Sequence, residues 1–107
     1  DDLIIHIPIA FTQAALGDSV KVPTIDEKVS MKIPAGTQTD TVFKLSGKGV
    51  PHMNGRGAGD LLVVVQVQVP QKLSKKQKEL LHQLDKSMGK DAKPQQSLLD
   101  KIKKMWE

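Results

Sequence analysis

The sequence predicts a mostly β fold: a small β-sandwich of short strands with one short helical turn, followed by one or two C-terminal amphipathic helices. Three observations predict this class. Apolar and polar residues alternate in several short runs before residue 70, which is the period of a half-buried strand. After Pro70 the composition changes to lysine-rich segments with leucines at helical spacing. The 107 residues have the length of one domain and include no Cys, so Ile, Leu and Val must form the core without disulfides.

The first strand is expected at residues 3–9, where every second residue is Leu or Ile. Pro8 has no N–H to donate, so this strand lies at the edge of its sheet or ends there. Residues 11–16 follow as one helical turn. Gly17 is placed to end that turn in the left-handed conformation, which glycine adopts without steric cost.

Four further strands are expected at 19–24, 28–33, 41–45 and 61–69, and the first two of these pair with each other. The last strand is apolar on both faces in its first half and on one face in its second half. It should therefore pass from a buried to a half-exposed position. A long loop with five glycines, residues 46–60, precedes it.

Two helices are expected after the strands. Ser74 and Gln77 form a capping box, and Gly89 is placed to end the helix that they begin. A polar linker at 90–96 leads to a last short helix that Ser97 caps. The apolar residues at helical spacing in the first helix are Leu80, Leu81, Leu84 and Met88, and those in the second are Leu98, Leu99, Ile102, Met105 and Trp106.

These apolar stripes are too short to stabilise free-standing helices, so they must be buried against other polypeptide. The sequence leaves two possibilities open, because the leucines can fold back on their own β region or contact a second chain.

The charge is uneven. Residues 1–70 carry six basic and seven acidic side chains, a net charge of −1, whereas residues 71–107 carry ten Lys and five acids, a net charge of +5. A basic segment can bind nucleic acid, anionic lipid or an acidic protein, although a solvated helix face is the commoner explanation. Trp106 is the sole aromatic residue after Pro70, and it falls on the apolar stripe, which gives little support for stacking on bases.

No pattern indicates an enzyme or a metal site. His6, His52 and His82 lie far apart and have no ligand spacing. The glycine-rich loop lacks the spacing of a phosphate-binding loop and leads into a strand rather than a helix, so positive φ angles explain its glycines better. No cofactor is expected.

Several motifs, taken in order along the chain, resemble the C-terminal region of DnaJ proteins. They are Ile-Pro-Ile-Ala-Phe-Thr-Gln-Ala-Ala-Leu-Gly at 7–17, Val-Pro-Thr at 22–24, Ile-Pro-Ala-Gly-Thr-Gln at 33–38, Gly-Lys-Gly-Val-Pro at 47–51 and Gly-Asp-Leu-Leu at 59–62. Residues 73–81 look like the dimerisation helix of that family, and residues 97–103 are similar to the tail of its bacterial members. Glu27 departs from the pattern, since many members have Gly in this hairpin; the departure concerns the type of turn and leaves the expected fold unchanged.

The resemblance implies a β-sandwich client-binding domain at 1–70, a dimerisation helix at 71–89, and a linker with a short C-terminal helix at 90–107. It implies a cytoplasmic co-chaperone that binds unfolded polypeptide, forms homodimers and delivers clients to a DnaK-type chaperone. Contact with DnaK would use a J domain that this sequence does not contain. The zinc-binding Cys repeats of the family are also absent from it, so no zinc is expected.

The resemblance also suggests candidate sites. The strand with Val20 and Val22 corresponds to the strand that lines the peptide groove in the first β domain of the family, which makes both valines candidate client-binding residues. The alternative is that both belong to the core. The dimer contact is expected at Leu80, Leu81, Leu84 and Met88. Two rival functions are a basic β module that binds nucleic acid or membranes, and a purely structural spacer or dimerisation domain; neither nucleic acid nor membrane is the expected partner.

Overall fold

The computed structural model describes residues 2–52, 57–89 and 93–106. It divides into two compact units, residues 1–70 and residues 71–107. The first unit contains the strands and the second contains helices, which confirms a β-rich fold followed by C-terminal helices. The elements are β1 (Leu3–Ala10), α1 (Phe11–Leu16), β2 (Asp18–Pro23), β3 (Lys28–Ile33), β4 (Val42–Leu45), β5 (Leu61–Gln68), α2 (Lys75–Met88) and α3 (Pro94–Met105).

The strands form two small sheets. One has the order β1-β5-β4, with β1 parallel and β4 antiparallel to β5. The other is the antiparallel pair β2–β3. Because β1 occupies an edge of its sheet, Pro8 removes no hydrogen bond from the interior of the sheet, as predicted.

Both sheets contribute to one hydrophobic core. The largest fully buried side chains come from β2 and β3 on one side and from β5 on the other, and they are Val22, Ile33, Leu61, Val63 and Val65. Half-buried residues of β1 and β4 pack around this cluster. The alternation seen in the sequence is therefore the alternation of core-facing and solvent-facing side chains.

Gly17 ends α1 in a different conformation from the predicted one. Its φ is 84°, as expected for a glycine position, but its ψ of 150° lies outside the left-handed helical region. Its N–H donates to the carbonyl oxygen of Gln13 at 2.9 Å. With this extended ψ the chain leaves α1 directly into β2, and no further turn is needed.

Thr24 closes the β2–β3 turn with its side chain. Its hydroxyl donates to the carbonyl oxygen of Glu27 at 2.5 Å and accepts the N–H of Glu27 at 3.1 Å. The Thr24 N–H donates to the same carbonyl at 2.9 Å. A side chain thus supplies the contact that a glycine turn would make through the backbone, which explains why Glu27 is tolerated here.

The second unit confirms the first predicted helix and corrects the start of the second. Ser74 Oγ accepts the N–H of Gln77 at 3.1 Å, while Gln77 Oε1 accepts the N–H of Ser74 at 2.7 Å, so the capping box is present. The prediction that Ser97 caps the last helix is wrong, because α3 begins at Pro94. Proline is well suited to the first helical position, where its φ is already helical and no N–H is needed. Of the predicted linker, residues 90–92 lie outside the described residues.

Candidate functional site

The β2–β3 hairpin places Val20 and Val22 on its core face. Val22 is 0% exposed and lies opposite Val29, whereas Val20 is half-buried and lies opposite Met31. The Val22 side chain is therefore part of the core and has no surface to offer a ligand. Of the two candidates, only Val20 keeps an accessible side chain.

The turn determines which residues of the hairpin direct their backbone N–H and C=O groups toward the partner strand and which direct them outward. Residues of an antiparallel pair alternate between facing the partner strand with their N–H and C=O groups and facing away from it. Thr24 and Glu27 are hydrogen-bonded to each other and lie one step beyond the Pro23–Lys28 pair. Pro23 therefore faces away from β3, which suits a residue without an N–H.

Counting back along the register, Val20 and Val22 direct their backbone groups toward β3. The residues whose backbone faces away from the partner are Ser19, Lys21 and Pro23 on β2, and Lys28, Ser30 and Lys32 on β3. The hairpin thus presents two backbone edges, and neither uses the amides of the two valines.

The apolar stripe of α2 is largely exposed. Leu80, Leu84 and Met88 are 51%, 48% and 57% exposed, and Leu81 is half-buried. Helix α3 also has no buried residue, and Met105 and Trp106 at its end are exposed. Such side chains on short helices gain little stability until another surface covers them.

An ion pair joins the two helices. Lys93 Nζ, at the N-cap of α3, donates to Asp85 Oδ1 of α2 at 2.8 Å. This hydrogen bond and the positive charge of Lys93 lower the pKa of Asp85, and His82 adds a smaller electrostatic effect in the same direction. The pair spans the segment between α2 and α3.

The residues considered for chemistry are not brought together. No group of three His, Cys, Asp or Glu side chains that could hold a metal ion occurs within residues 2–52, 57–89 and 93–106. His6 lies on β1 beside Gln66, and His82 lies on α2. In that same part of the chain, no helix is both long and apolar enough to cross a bilayer.

The glycine-rich loop has internal partners for its backbone. Gly47 and Gly57 have positive φ angles of 73° and 70°, as predicted. The N–H of Gly47 donates to the carboxylate of Asp60 at 3.1 Å, and the N–H of Gly49 donates to the carbonyl of Gly59 at 2.8 Å. A carboxylate thus occupies a donor that a bound phosphate would need, which argues against a phosphate-binding role.

The sequence did not indicate the role of Thr24, which fixes the direction of the backbone N–H and C=O groups along the hairpin. The only sequence signal for its role was a hydroxyl residue three positions before Glu27, at the end of a strand. The outward or inward direction of each backbone N–H depends on the register of the two strands, and the register is known only when the turn is known.

Two families of known proteins match the chain. The family described as DnaJ C terminal domain matches residues 1–70, and the one described as Chaperone protein DnaJ C-terminal region matches residues 76–107.

Several curated relatives carry the name Chaperone protein DnaJ. A protein from Halothermothrix orenii is 49% identical over 104 residues, which are 96% of this chain and 28% of that protein. One from Listeria monocytogenes serotype 4a is 49% identical over 108 residues, covering 100% of this chain and 29% of its own length. One from a Geobacillus species is 50% identical over 109 residues, which cover 100% of this chain and 29% of that protein. The chain thus spans less than a third of the length of these relatives.

Proposed function

Since the chain belongs to the DnaJ family, as a C-terminal region of its members, we propose that it binds unfolded polypeptide and forms homodimers. In this role it holds clients that are delivered to a DnaK-type chaperone. The observation that carries the client-binding part is the sheet β2–β3, which pairs with no further strand on either side among the described residues. An extended segment can add to such an edge by main-chain hydrogen bonds, whatever its exact sequence, as a general client binder requires.

In this account, the two valines have different roles. Val22 anchors the hairpin to the core, and Val20 is the residue of the pair that a client side chain can reach. Direct contact between a client and β2 at Val20 stays a prediction.

Client binding is tested with a permanently unfolded polypeptide, reduced and alkylated so that it cannot refold, carrying a fluorescent label. We expect saturable binding of this label, measured by anisotropy, with little dependence on salt. A single-stranded oligonucleotide is titrated in parallel, because binding dominated by phosphate contacts falls steeply as salt rises. Binding of the oligonucleotide without binding of the polypeptide would favour a basic nucleic-acid module instead.

The exposed stripe of α2 supports the homodimer. We propose that Leu80, Leu81, Leu84 and Met88 pack against the β domain of a partner chain. Burying a leucine gains about 1.5–3 kcal/mol, so three leucines give a moderate interface before the cost of association is subtracted. A dimer would present two client sites and bind one long client more tightly through a raised effective concentration.

Delivery to a DnaK-type chaperone is proposed from the family alone. It would use a J domain outside this sequence, and this chain would contribute the client and the dimer contact. The expectations that this region is cytoplasmic, catalyses no reaction and needs no cofactor stay predictions of the same kind.

A further inference from the structure

We propose that an extended client segment adds to the outer edge of β3, at Lys28, Ser30 and Lys32, and that this edge prefers segments in which apolar and acidic residues alternate. The inference builds on the proposed client-binding function and specifies its site. It differs from the expectation that β2 is the client-binding strand.

Three edges are less suitable than β3, and β1 is the first. Leu3 donates its N–H to Asp60, so the odd-numbered residues of β1 face β5 and the even-numbered ones face outward. Among the outward residues, Pro8 has no N–H, and Ala10 already donates its N–H to Gln13 Oε1 at 2.9 Å. An added strand would find donors along only half of β1.

Strand β4 is too short. The N–H of Val65 donates to the carbonyl of Thr41, which places the next outward residues at Val42 and Lys44. A strand of four residues thus offers two outward residues, which is little for stable pairing.

The outer edge of β2 is interrupted at both ends. Pro23 faces outward and has no donor, and the N–H of Ser19 already donates to Asp18 Oδ1 at 2.7 Å. Lys21 alone keeps an outward N–H that is available for pairing. A proline, or an N–H group that already donates to a neighbouring side chain, protects an exposed strand edge from pairing with another chain.

The outer edge of β3 has no such interruption. Lys28, Ser30 and Lys32 face away from β2 in succession, and none of them is proline. In the part of the chain that the structure describes, their N–H groups receive no hydrogen-bond partner from outside the hairpin. Together they offer three donors and three acceptors to an incoming strand.

The side chains along β3 suggest which segments fit. Lys28, Ser30 and Lys32 are exposed on the outer face, while Met31 and Ile33 are buried toward the core. On an added strand, side chains on the outer face would lie beside the two lysines and those on the inner face would extend the core. Opposite charges in such cross-strand positions stabilise pairing, so acidic residues on the outer face and apolar residues on the inner face are favoured.

The other charges around this surface are mixed. Lys21 lies opposite Ser30 on the outer face and adds positive charge. Asp26 and Glu27 lie in the turn, and Glu27 is 3.4 Å from the ammonium group of Lys48, which offsets its charge. Asp18 lies at the far end of the hairpin. The centre of the outer face is therefore cationic.

A matched pair of proline variants separates the two edges of the hairpin. Ser30→Pro and Lys21→Pro change residues that lie opposite each other, and each removes an outward-facing N–H without breaking the β2–β3 ladder. The ligand is a peptide of about ten residues, roughly the length of a long strand, that alternates valine and glutamate. We expect Ser30→Pro to weaken its binding about tenfold or more, because proline removes a donor and its ring obstructs pairing. Lys21→Pro should bind like Lys21→Gln, which loses the same positive charge of the outer face but keeps its N–H.

Amide chemical shifts in the unaltered chain provide a measurement that does not depend on folding of the variants. On adding the peptide, the amides of Ser30 and Lys32 should shift and become protected from exchange, and the amide of Lys21 should not. A second peptide with lysine in place of glutamate should bind more weakly. Loss of binding in Lys21→Pro alone, or shifts confined to β2, would overturn the assignment to β3.

The outcomes also separate this inference from the proposed function. If the chain binds unfolded polypeptide but Ser30→Pro binds as well as the unaltered chain, the β3 edge is wrong and client binding stands. If no unfolded polypeptide binds at all, the proposed function itself fails. Equal binding of the acidic and basic peptides would overturn the charge preference.

Discussion

Gly17 lies against the backbone of Ala35. A Cβ atom added to Gly17 would be 3.0 Å from the Ala35 nitrogen and 3.1 Å from the carbonyl oxygen of Ile33. The end of α1 is thus packed directly on the chain that leaves β3. Since Gly17 also has a φ of 84°, this position excludes other residues for two independent reasons.

Gly17→Ala should therefore destabilise the β unit more than an ordinary glycine substitution. The positive φ and extended ψ of Gly17 define a region that is essentially restricted to glycine and costs an alanine about 1–3 kcal/mol. A clash with backbone atoms adds about 1–3 kcal/mol. Gly36→Ala is the control, because Gly36 has a similar φ of 82° but no atoms within 4 Å of an added Cβ. Urea unfolding should show the larger loss for Gly17→Ala, and equal losses would mean that the contact with Ala35 is unimportant.

The two valines of β2 should differ in stability effects. Val22→Ala removes about two methylene equivalents from a fully buried site and leaves a cavity, so we expect a loss of about 2–3 kcal/mol. Val20 is half-buried, so Val20→Ala should cost less than about 1.5 kcal/mol. Thermal or urea unfolding of both variants measures the difference. A greater loss for Val20→Ala would contradict the assignment of Val22 to the core.

Two serine variants test the starts of the C-terminal helices. Ser74→Ala removes the cap of α2 and should cost about 1 kcal/mol of helix stability. Ser97→Ala replaces an exposed residue inside α3 with the best helix former, so it should leave helicity unchanged or raise it. Circular dichroism and amide exchange measure both effects. Loss of helicity in Ser97→Ala would mean that α3 starts at Ser97 after all.

The ion pair between Asp85 and Lys93 predicts a pH dependence. Because the folded state lowers the pKa of Asp85, the stabilisation is present above the unfolded pKa, near 4, and is lost as the pH falls through the lower folded pKa. Lys93→Gln should raise the pKa of Asp85 back toward its ordinary value, measured by carboxyl NMR. Lys101→Gln is the control and should leave that pKa in place. An Asp85 that titrates identically in all three chains would exclude the pair in solution.

Strand positions could be predicted because alternation is a local property of the sequence. The run from Leu3 to Ile9 and the run that begins at Leu61 each place every second residue toward the core, and both strands formed where expected. Helix α2 was predictable for the same reason, since Ser74 and Gln77 are a local signal. The start of α3 was not, because Ser97 and Pro94 both suit a helix start and the choice depends on their surroundings.

The candidate site was less predictable than the fold. The sequence pointed to Val20 and Val22, but which face a strand buries depends on the sheet packed beneath it. The direction of each backbone N–H depends on the register, and here the register follows from the Thr24–Glu27 contact. The surface that covers Leu80 and Leu84 was also open in the sequence, which allowed either their own β region or a second chain.

Sedimentation velocity of the 107-residue chain mixed with a fluorescent, permanently unfolded polypeptide tests dimerisation and client binding together. We expect the chain to sediment as a dimer that carries the label, and Leu81→Asp to sediment as a monomer that binds long clients more weakly. His82→Asp introduces the same carboxylate on the face of α2 that points away from the leucines, and it should behave like the unaltered chain. A monomeric chain beside freely sedimenting label at every concentration would contradict the account.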